Sequence, residues 1–318
     1  MTQGASTGEA ESAVLAAHPI LIIGVPCYNE AEFLERTLQS LTDQTWRDFA
    51  VLISDNASTD DTGRIASAFC KNDNRFRYHK QSSNIGSGRN FNFILEHTTS
   101  RYILWMGAHD LIEPAMVERH IRLLERRPEV SVSQSAHAWI DTKDRFVERV
   151  DDGDLDGGDA DDPDRYLRSI GQNRNNIGAN SIIRRAMLNG VRFTDVVGTD
   201  RIMLSHLAFR GPFATDPDIL YKRRTFATRS GNNPYMERLT GRSNAAEDWS
   251  AFAREYDRDF AGLLGDRADS DRLRRALALR LRYHLPVERS SLLTRVLWTI
   301  RRVRKWSGKI SGMMRRHA

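Results

Sequence analysis

The chain has 318 residues, 40% hydrophobic and 28% charged, an ordinary globular mixture large enough for one big domain or two small ones. Its 21 Gly and 9 Pro exclude a fibrous or low-complexity protein, and its 2 Cys exclude a disulfide scaffold and a cysteine-built zinc site. The net charge of +5 is unevenly placed: fourteen Lys and Arg face two acidic residues over 271–318, so that stretch carries +12 and the first 270 residues −7.

Residues 1–18 are small and polar without periodicity and read as a disordered leader. No Lys or Arg precedes Arg36, and Glu9 and Glu11 stand where a secretory signal would be basic. The longest apolar run, residues 19–25, falls far short of the ~20 residues that span a membrane. A reduced, cytoplasmic protein is expected. Residues 20–25 form a short, β-branched run suited to a strand buried on both faces. Over 31–44, Phe33, Leu34, Leu38 and Leu41 recur at helical spacing, and 49–54 reads as a second buried strand. Ser58 and Thr59 can cap the next helix, with Asp60 and Asp61 in its first turn, where negative charge suits the helix dipole. A weaker strand at 77–79, a helix over 90–97 and a strand over 101–106 follow. This alternation predicts right-handed crossovers and a Rossmann-like, mostly parallel sheet.

A helix over 114–126 and a strand over 130–139 come next. Eight aspartates and three glycines then crowd into 151–164. The spacing and terminal Glu of an EF-hand are missing, so a solvated, mobile loop is expected there. Order is predicted to return around 176–188, 200–209 and 219–224. Beyond Pro234, Trp249, Phe252, Tyr256, Phe260 and Leu263 mark one helical stripe, followed by helices over 272–285 and 291–314.

Ligands of open α/β sheets sit at the carboxyl ends of the strands. There the sequence places Pro26-Cys27-Tyr28-Asn29-Glu30, then Asp55-Asn56-Ala57-Ser58-Thr59-Asp60, then Gly107-Ala108-His109-Asp110. Asn84-Ile85-Gly86 and Arg89 lead into the intervening helix, so a polar crevice is expected. No GxGxxG follows the first strand, and no P-loop, GxSxG elbow or HExxH occurs. Cys27 lacks a basic neighbour and reads as a buried, inert thiol.

These blocks resemble family 2 glycosyltransferases in order and spacing over residues 19–113. The matching residues are Pro26 to Glu30, Ser40-Leu41-Thr42-Asp43-Gln44-Thr45-Trp46, Ile53 to Thr62, and Asn84-Ile85-Gly86 with Arg89-Asn90-Phe91-Asn92. The resemblance implies a GT-A fold, an α/β architecture with a mostly parallel sheet flanked by helices. It further implies a nucleotide-sugar donor, commonly a UDP-sugar, a divalent metal, Mn²⁺ or Mg²⁺, and transfer with inversion. By position, Pro26, Tyr28, Glu30 and Asp55 would hold the base and ribose, and Arg89 would offer a forked donor to a base carbonyl or phosphate. Asp55 would also suit a turn, and Arg89 a solvated surface.

The family's acidic triplet is altered. Gly107 and His109 stand where two carboxylates are expected, leaving Asp110 as the one acidic candidate for the metal, with His109 as a borderline ligand, a phosphate donor or a residue that merely packs. Val197-Gly198-Thr199-Asp200, followed by Gly211, resembles the family's second catalytic block, which makes Asp200 the candidate general base and Asp195 the runner-up. As a plain helix N-cap, Asp200 would look the same. Tyr221-Lys222-Arg223-Arg224 resembles the strand closing the acceptor side, whose basic residues would help hold pyrophosphate.

Over 291–316, apolar residues and Trp298 and Trp306 lie among arginines, a pattern suited to an anionic membrane surface or to packing on the chain's own catalytic domain. No nucleic-acid recognition module accompanies the charge. The expected organisation is a leader (1–18), a nucleotide-sugar half (19–113), an acceptor half (114–235) and a helical basic tail (236–318). The expected activity is sugar transfer to a glycan or lipid-linked hydroxyl, in the cytoplasm or on the inner membrane face. A catalytically impaired, membrane-peripheral binding relative is the alternative.

Overall fold

The computed structural model describes residues 19–226, except 153, 173, 174, 195 and 197, together with 249–284. The expected leader, most of the basic tail and Asp195 lie outside these residues. The first half alternates β1 (Leu21–Cys27), α1 (Leu34–Thr42), β2 (Phe49–Asp55), α2 (Thr62–Asn72), β3 (Phe76–Lys80), α3 (Ser87–Glu96) and β4 (Tyr102–Trp105). Then come β5 (Leu111–Ile112), α4 (Met116–Arg126), β6 (Val132–Ile140), β7 (Phe146–Val150), α5 (Pro163–Gln172), β8 (Ile182–Arg184), α6 (Thr199–Arg210) and β9 (Phe213–Arg224). Short 3-10 turns at Ile177–Asn180 and Arg185–Leu188 flank β8, and two further helices follow, α7 (Trp249–Leu264) and α8 (Ser270–His284). Among the described residues, no helix is long and apolar enough to cross a membrane.

One sheet runs through both halves in the order β3-β2-β1-β4-β8-β6-β9-β5, with β7 added beside β6. The first four strands are parallel, as their crossovers require. The second half is mixed, because β8 runs antiparallel to both β4 and β6. Two reversals restore the direction, and β9 pairs parallel to β6. The carboxyl ends of β6 and β9 therefore reach the same edge of the sheet as those of β1, β2 and β4.

Alternation along the strands divides the core between two faces. Leu21, Ile23, Val25, Val51, Ile53 and Leu104 pack with Leu34, Leu38 and Leu41 of α1 and with Val117, Ile121 and Leu124 of α4. Leu52, Ile103, Trp105 and Val132 pack with Ile94 of α3 and with Leu204 and Leu207 of α6. At Gly24 the helix lies directly on the strand: a Cβ there would sit 2.4 Å from Ile94 Cγ2. Pro26 is tolerated inside β1 because pairing with β4 stops at Gly24, where its missing N–H no longer matters on that side.

The stripe on α7 is buried through Phe252, Tyr256, Phe260 and Leu264, which join Leu273, Leu277 and Leu281 of α8 against Tyr166, Ile202 and Phe209. These helices thus complete the core beneath α5 and α6.

The acidic stretch is solvated as expected, with most of its described residues exposed, but it is also anchored to the fold. Leu155 is buried, and its carbonyl accepts the Phe213 N–H. Asp156 takes two hydrogen bonds from Arg127, at 2.9 and 2.7 Å. The wholly buried Arg165 donates to the carbonyls of Gly157 and Asp159 at 3.0 and 2.7 Å. A buried guanidinium needs several acceptors, and this loop supplies them with main-chain oxygens.

Candidate functional site

The turns after β1 and β2 are sewn together by short polar side chains. Asn29 adopts a left-handed conformation (φ 54°), which Asn tolerates better than bulkier residues. Its N–H donates to Ser58 Oγ at 2.9 Å, and its Oδ1 accepts the Thr59 N–H at 2.9 Å. The Glu30 N–H donates to Thr62 Oγ1 at 2.8 Å. Asp55, at the end of β2, is fully buried: Oδ1 accepts the Ser58 N–H at 2.8 Å and Oδ2 the Tyr78 hydroxyl at 2.6 Å. Burial and then the bond to Asp55 push the Tyr78 phenol well above its usual range, which keeps it a donor. Asn56 and Asn84 pair at 2.8 Å, and Asn90 bonds Ser54, so the loop before α3 is tied to the end of β2.

Pro26 and Tyr28 are partly exposed above these ties, and Arg89 is exposed on α3 with no hydrogen bond or ion pair among the described residues. Cys27 faces inward. Burial, then the charges of Asp55, Glu30 and Asp60, hold its thiol well above the ordinary range, so it is no thiolate nucleophile.

The end of β4 is built differently. His109 and Asp110 are both buried, and His109 Nδ1 lies 3.3 Å from Glu30 Oε2. Asp110 Oδ1 accepts the Arg224 N–H at 2.8 Å, and its Oδ2 accepts the Tyr221 hydroxyl at 2.8 Å. Burial first, and the Asp110 charge second, raise the Tyr221 hydroxyl well above its usual range. The basic residues of β9 all have partners within the protein. Arg224 is buried, donates to the His109 carbonyl at 2.8 Å, pairs with Asp144 and covers the Phe33 ring. Arg223 lies over Trp139 and donates to the Asn175 carbonyl at 3.0 Å, and Lys222 pairs with Glu113 at 2.6 Å. Lys222 and Arg224 are thus ion-paired, and the three side chains tie β9 to its neighbours.

Asp200 occupies the first turn of α6 and is partly exposed. Asn176 Nδ2 donates to its Oδ2, and the Arg201 N–H lies 3.0 Å from its Oδ1. Asn176 is itself left-handed (φ 59°) and is presented by a turn whose flanking N–H groups, at Asn175 and Ile177, both donate to Asp152 at 2.7 and 2.8 Å. Asn180, at the far end of that turn, donates to the Trp105 carbonyl at 3.3 Å, which links Asp200's support to the end of β4. On its other side α6 rests on α7: Ser205 Oγ meets the Tyr256 hydroxyl at 3.3 Å, and His206 Nδ1 meets Asp259 at 2.8 Å.

The candidate residues thus fall into two groups at one edge of the sheet: Pro26, Tyr28, Glu30, Asp55, His109 and Asp110 around β1, β2 and β4, and Asp200 with Asn176 beside them. Arg89 stands at the margin of the first. Sequence reasoning missed Tyr221 as a hydroxyl partner, Asn176 and Asp152. Their roles come from contacts across 24 to 111 positions of chain, and no local motif marks them.

Residues 22–191 match the family model described as Glycosyl transferase family 2. Chondroitin synthase of Escherichia coli is 34% identical over 139 residues, 44% of this chain and 19% of that protein. The chain spans about a fifth of the length of the curated relatives that it matches first. Residues 1–349 of S. aureus TarS, solved in complex with UDP-GlcNAc, superpose with a TM-score of 0.64 at 17% identity, over 87% of this chain and 78% of that one. A mannosyltransferase of Pyrobaculum calidifontis, solved with GDP-Man and Mn²⁺, superposes with a TM-score of 0.51 at 16% identity, over 92% and 84%. The mixed sheet and its flanking helices are the GT-A fold, and with more than half its length matched by the family model, the chain belongs to glycosyl transferase family 2.

Proposed function

We propose that the chain transfers a sugar from a nucleotide-sugar donor, a UDP-sugar, to a hydroxyl of a glycan or lipid-linked acceptor, with inversion at the anomeric carbon. One observation carries the reading: the family-matched turns after β1 and β2 are bonded into a single floor at the edge of the sheet where Asp200 also stands. TarS with bound UDP-GlcNAc and a chondroitin synthase among the relatives support the choice of donor and of a glycan product. Pro26 and Tyr28 flank the base. Asp55, with two of a carboxylate's roughly four acceptor positions in use, lies behind them. Arg89, exposed and without an ion pair among the described residues, would meet the phosphates.

The acceptor oxygen forms its bond to the anomeric carbon while its proton passes to Asp200. The bond to the diphosphate breaks with its electron pair leaving on the nucleoside diphosphate. Asn176 holds one carboxylate oxygen of Asp200 so that the group keeps its direction. In this reading residues 19–113 serve the donor and 114–235 the acceptor. The charge of +12 over 271–318 supports a peripheral place on an anionic membrane face, where a lipid-linked acceptor would stand.

Mn²⁺ in the archaeal neighbour raises the question of a metal here. The residues of this chain do not fit one. Among the described residues no group of three His, Cys, Asp or Glu side chains is placed to hold an ion. Asp110 is 2% exposed with both oxygens already accepting from buried donors, and His109 turns Nδ1 toward Glu30.

The test is donor hydrolysis. Purified chain is incubated with UDP-, dTDP- and GDP-sugars, and released nucleoside diphosphate is counted. Release from one donor, lost in Asp200→Asn, is expected. Donor binding without release, with acceptor glycans present, would favour the impaired relative that the altered triplet at Gly107 and His109 also fits.

A further inference from the structure

We infer that this chain holds the diphosphate of its donor without a bridging divalent ion, and that Asp110 is a structural strut between β4 and β9 rather than an ion ligand. The inference rests on the donor reading above and concerns the chemistry of that same site.

Three independent features of the β4 end support it. The first is steric. The glycine that replaces an acidic residue at position 107 has no room for one: a Cβ there would lie 2.5 Å from Asp110 Oδ2, 3.1 Å from its Cγ and 3.4 Å from His109 Nε2. Real Cβ atoms essentially never come within 3.0 Å of another heavy atom, so the contact with Oδ2 is the one that excludes a side chain. The carboxylate of Asp110 fills the space that a side chain at 107 would need, so the site is rebuilt around the glycine and is not merely short of one ligand.

The second feature is the use made of Asp110. Its two oxygens join the main chain of Arg224 and the hydroxyl of Tyr221, both on β9, at 2.8 Å each. The Gly107 N–H closes the arrangement on the Tyr221 oxygen at 3.3 Å. Drawing Asp110 out toward an ion would leave a buried phenol and a buried N–H without acceptors, a cost that an exposed ligand carboxylate does not carry.

The third is the neighbour at 109. An imidazole stands in place of a second carboxylate, beside Glu30 and edge-on to Phe226 with 5.0 Å between ring centroids. A hard ion such as Mg²⁺ takes oxygen ligands, and the two positions that would supply them beyond Asp110 hold a glycine and a histidine. Charge on the diphosphate then has to be met by fixed cations of the chain. Arg89 is permanently charged, exposed and without an ion pair among the described residues.

The experiment is calorimetric titration of UDP into the full chain, once with excess Mn²⁺ and once after chelation with EDTA. Mn²⁺ electron paramagnetic resonance of the same UDP-saturated protein is recorded beside a UDP-only control. The expected result is a Kd that differs by less than about threefold between the two buffers, and no loss of the free-Mn²⁺ signal beyond the control. A Kd more than about threefold tighter with Mn²⁺, or protein-dependent loss of that signal, overturns the inference and leaves the donor site standing. No binding of UDP, GDP or dTDP in either buffer overturns the donor reading, and this inference with it. Asp110→Asn separates the two roles of that residue. Its expected effect is a lower melting temperature with the ratio of Kd values unchanged, and a variant that folds like the parent but loses a Mn²⁺ response would identify an ion ligand.

Discussion

Tyr221 donates its hydroxyl to Asp110 across 2.8 Å, with both side chains sealed from solvent, and this bond fixes the turn after β4 to the carboxyl-terminal part of β9. Tyr221→Phe keeps the ring that stacks on His137, at 4.7 Å between centroids, and removes the hydroxyl that donates to Asp110 and accepts the Gly107 N–H. Asp110 Oδ2 is then a buried carboxylate oxygen without its hydroxyl partner. A loss of about 1–3 kcal/mol of stability is expected, read from urea unfolding at neutral pH. An unchanged midpoint would show that the bond contributes nothing.

Gly107 tests the same edge from the other side. Gly107→Ala places a methyl 2.5 Å from a carboxylate oxygen that Tyr221 holds in place, so neither atom can yield cheaply. About 1–3 kcal/mol of destabilisation is expected, the range for overpacking a close-packed interior. Gly107→Asp, which restores the acidic pattern on paper, should unfold at least as early. A variant that instead gains stability in Mn²⁺ would contradict the packing argument.

Much of this architecture is legible in the chain itself, for a physical reason. Runs such as Leu21–Cys27 and Phe49–Asp55 are buried on both faces, so their apolar character is continuous and local. The stripe of Phe252, Tyr256 and Phe260 is likewise carried by spacing alone. Other parts have no such signature. β7 is an exposed edge strand with Phe146 63% accessible, so no alternation marks it. α5 begins among aspartates, and its buried Arg165 looks like a surface charge until the carbonyls that surround it are known. At the candidate site the turn residues are contiguous in sequence and could be read directly. That Asp110 faces Tyr221 and that Asn176 faces Asp200 depends on how β9 and the 3-10 turn close over the sheet.

Acid should weaken the fold in a defined window. His120 is fully buried against Ser133 Oγ at 2.7 Å. Desolvation chiefly, opposed by Asp216 and aided by Arg119, brings its pKa down to about 4. His137, buried nearby, is lowered for the same leading reason. A folded pKa below the unfolded value of about 6.5 means that the unfolded chain binds more protons between these limits. The contribution is therefore complete above pH ~6.5 and is lost as pH falls toward ~4, by roughly 3 kcal/mol for His120 alone. Unfolding midpoints measured across this range should decline, and His120→Gln should flatten the slope. An equal slope in the variant would assign the acid sensitivity elsewhere.

Asp200 provides the sharpest test of the proposed chemistry. Asp200→Asn preserves shape, and an amide can still meet Asn176 by turning its oxygen toward that donor, so the turn anchored by Asp152 should hold. What the amide cannot do is accept a proton from the acceptor hydroxyl. Turnover should fall by about 10²- to 10⁴-fold, the usual contribution of a positioned general base, while the Kd for UDP stays within about twofold. Asn176→Ala removes the support and not the base, so a smaller loss is expected, again with donor binding intact. If Asp200→Asn turns over at the parent rate with its true acceptor, Asp200 is only an acidic residue in the first turn of α6, and the base must be sought among other carboxylates at this edge.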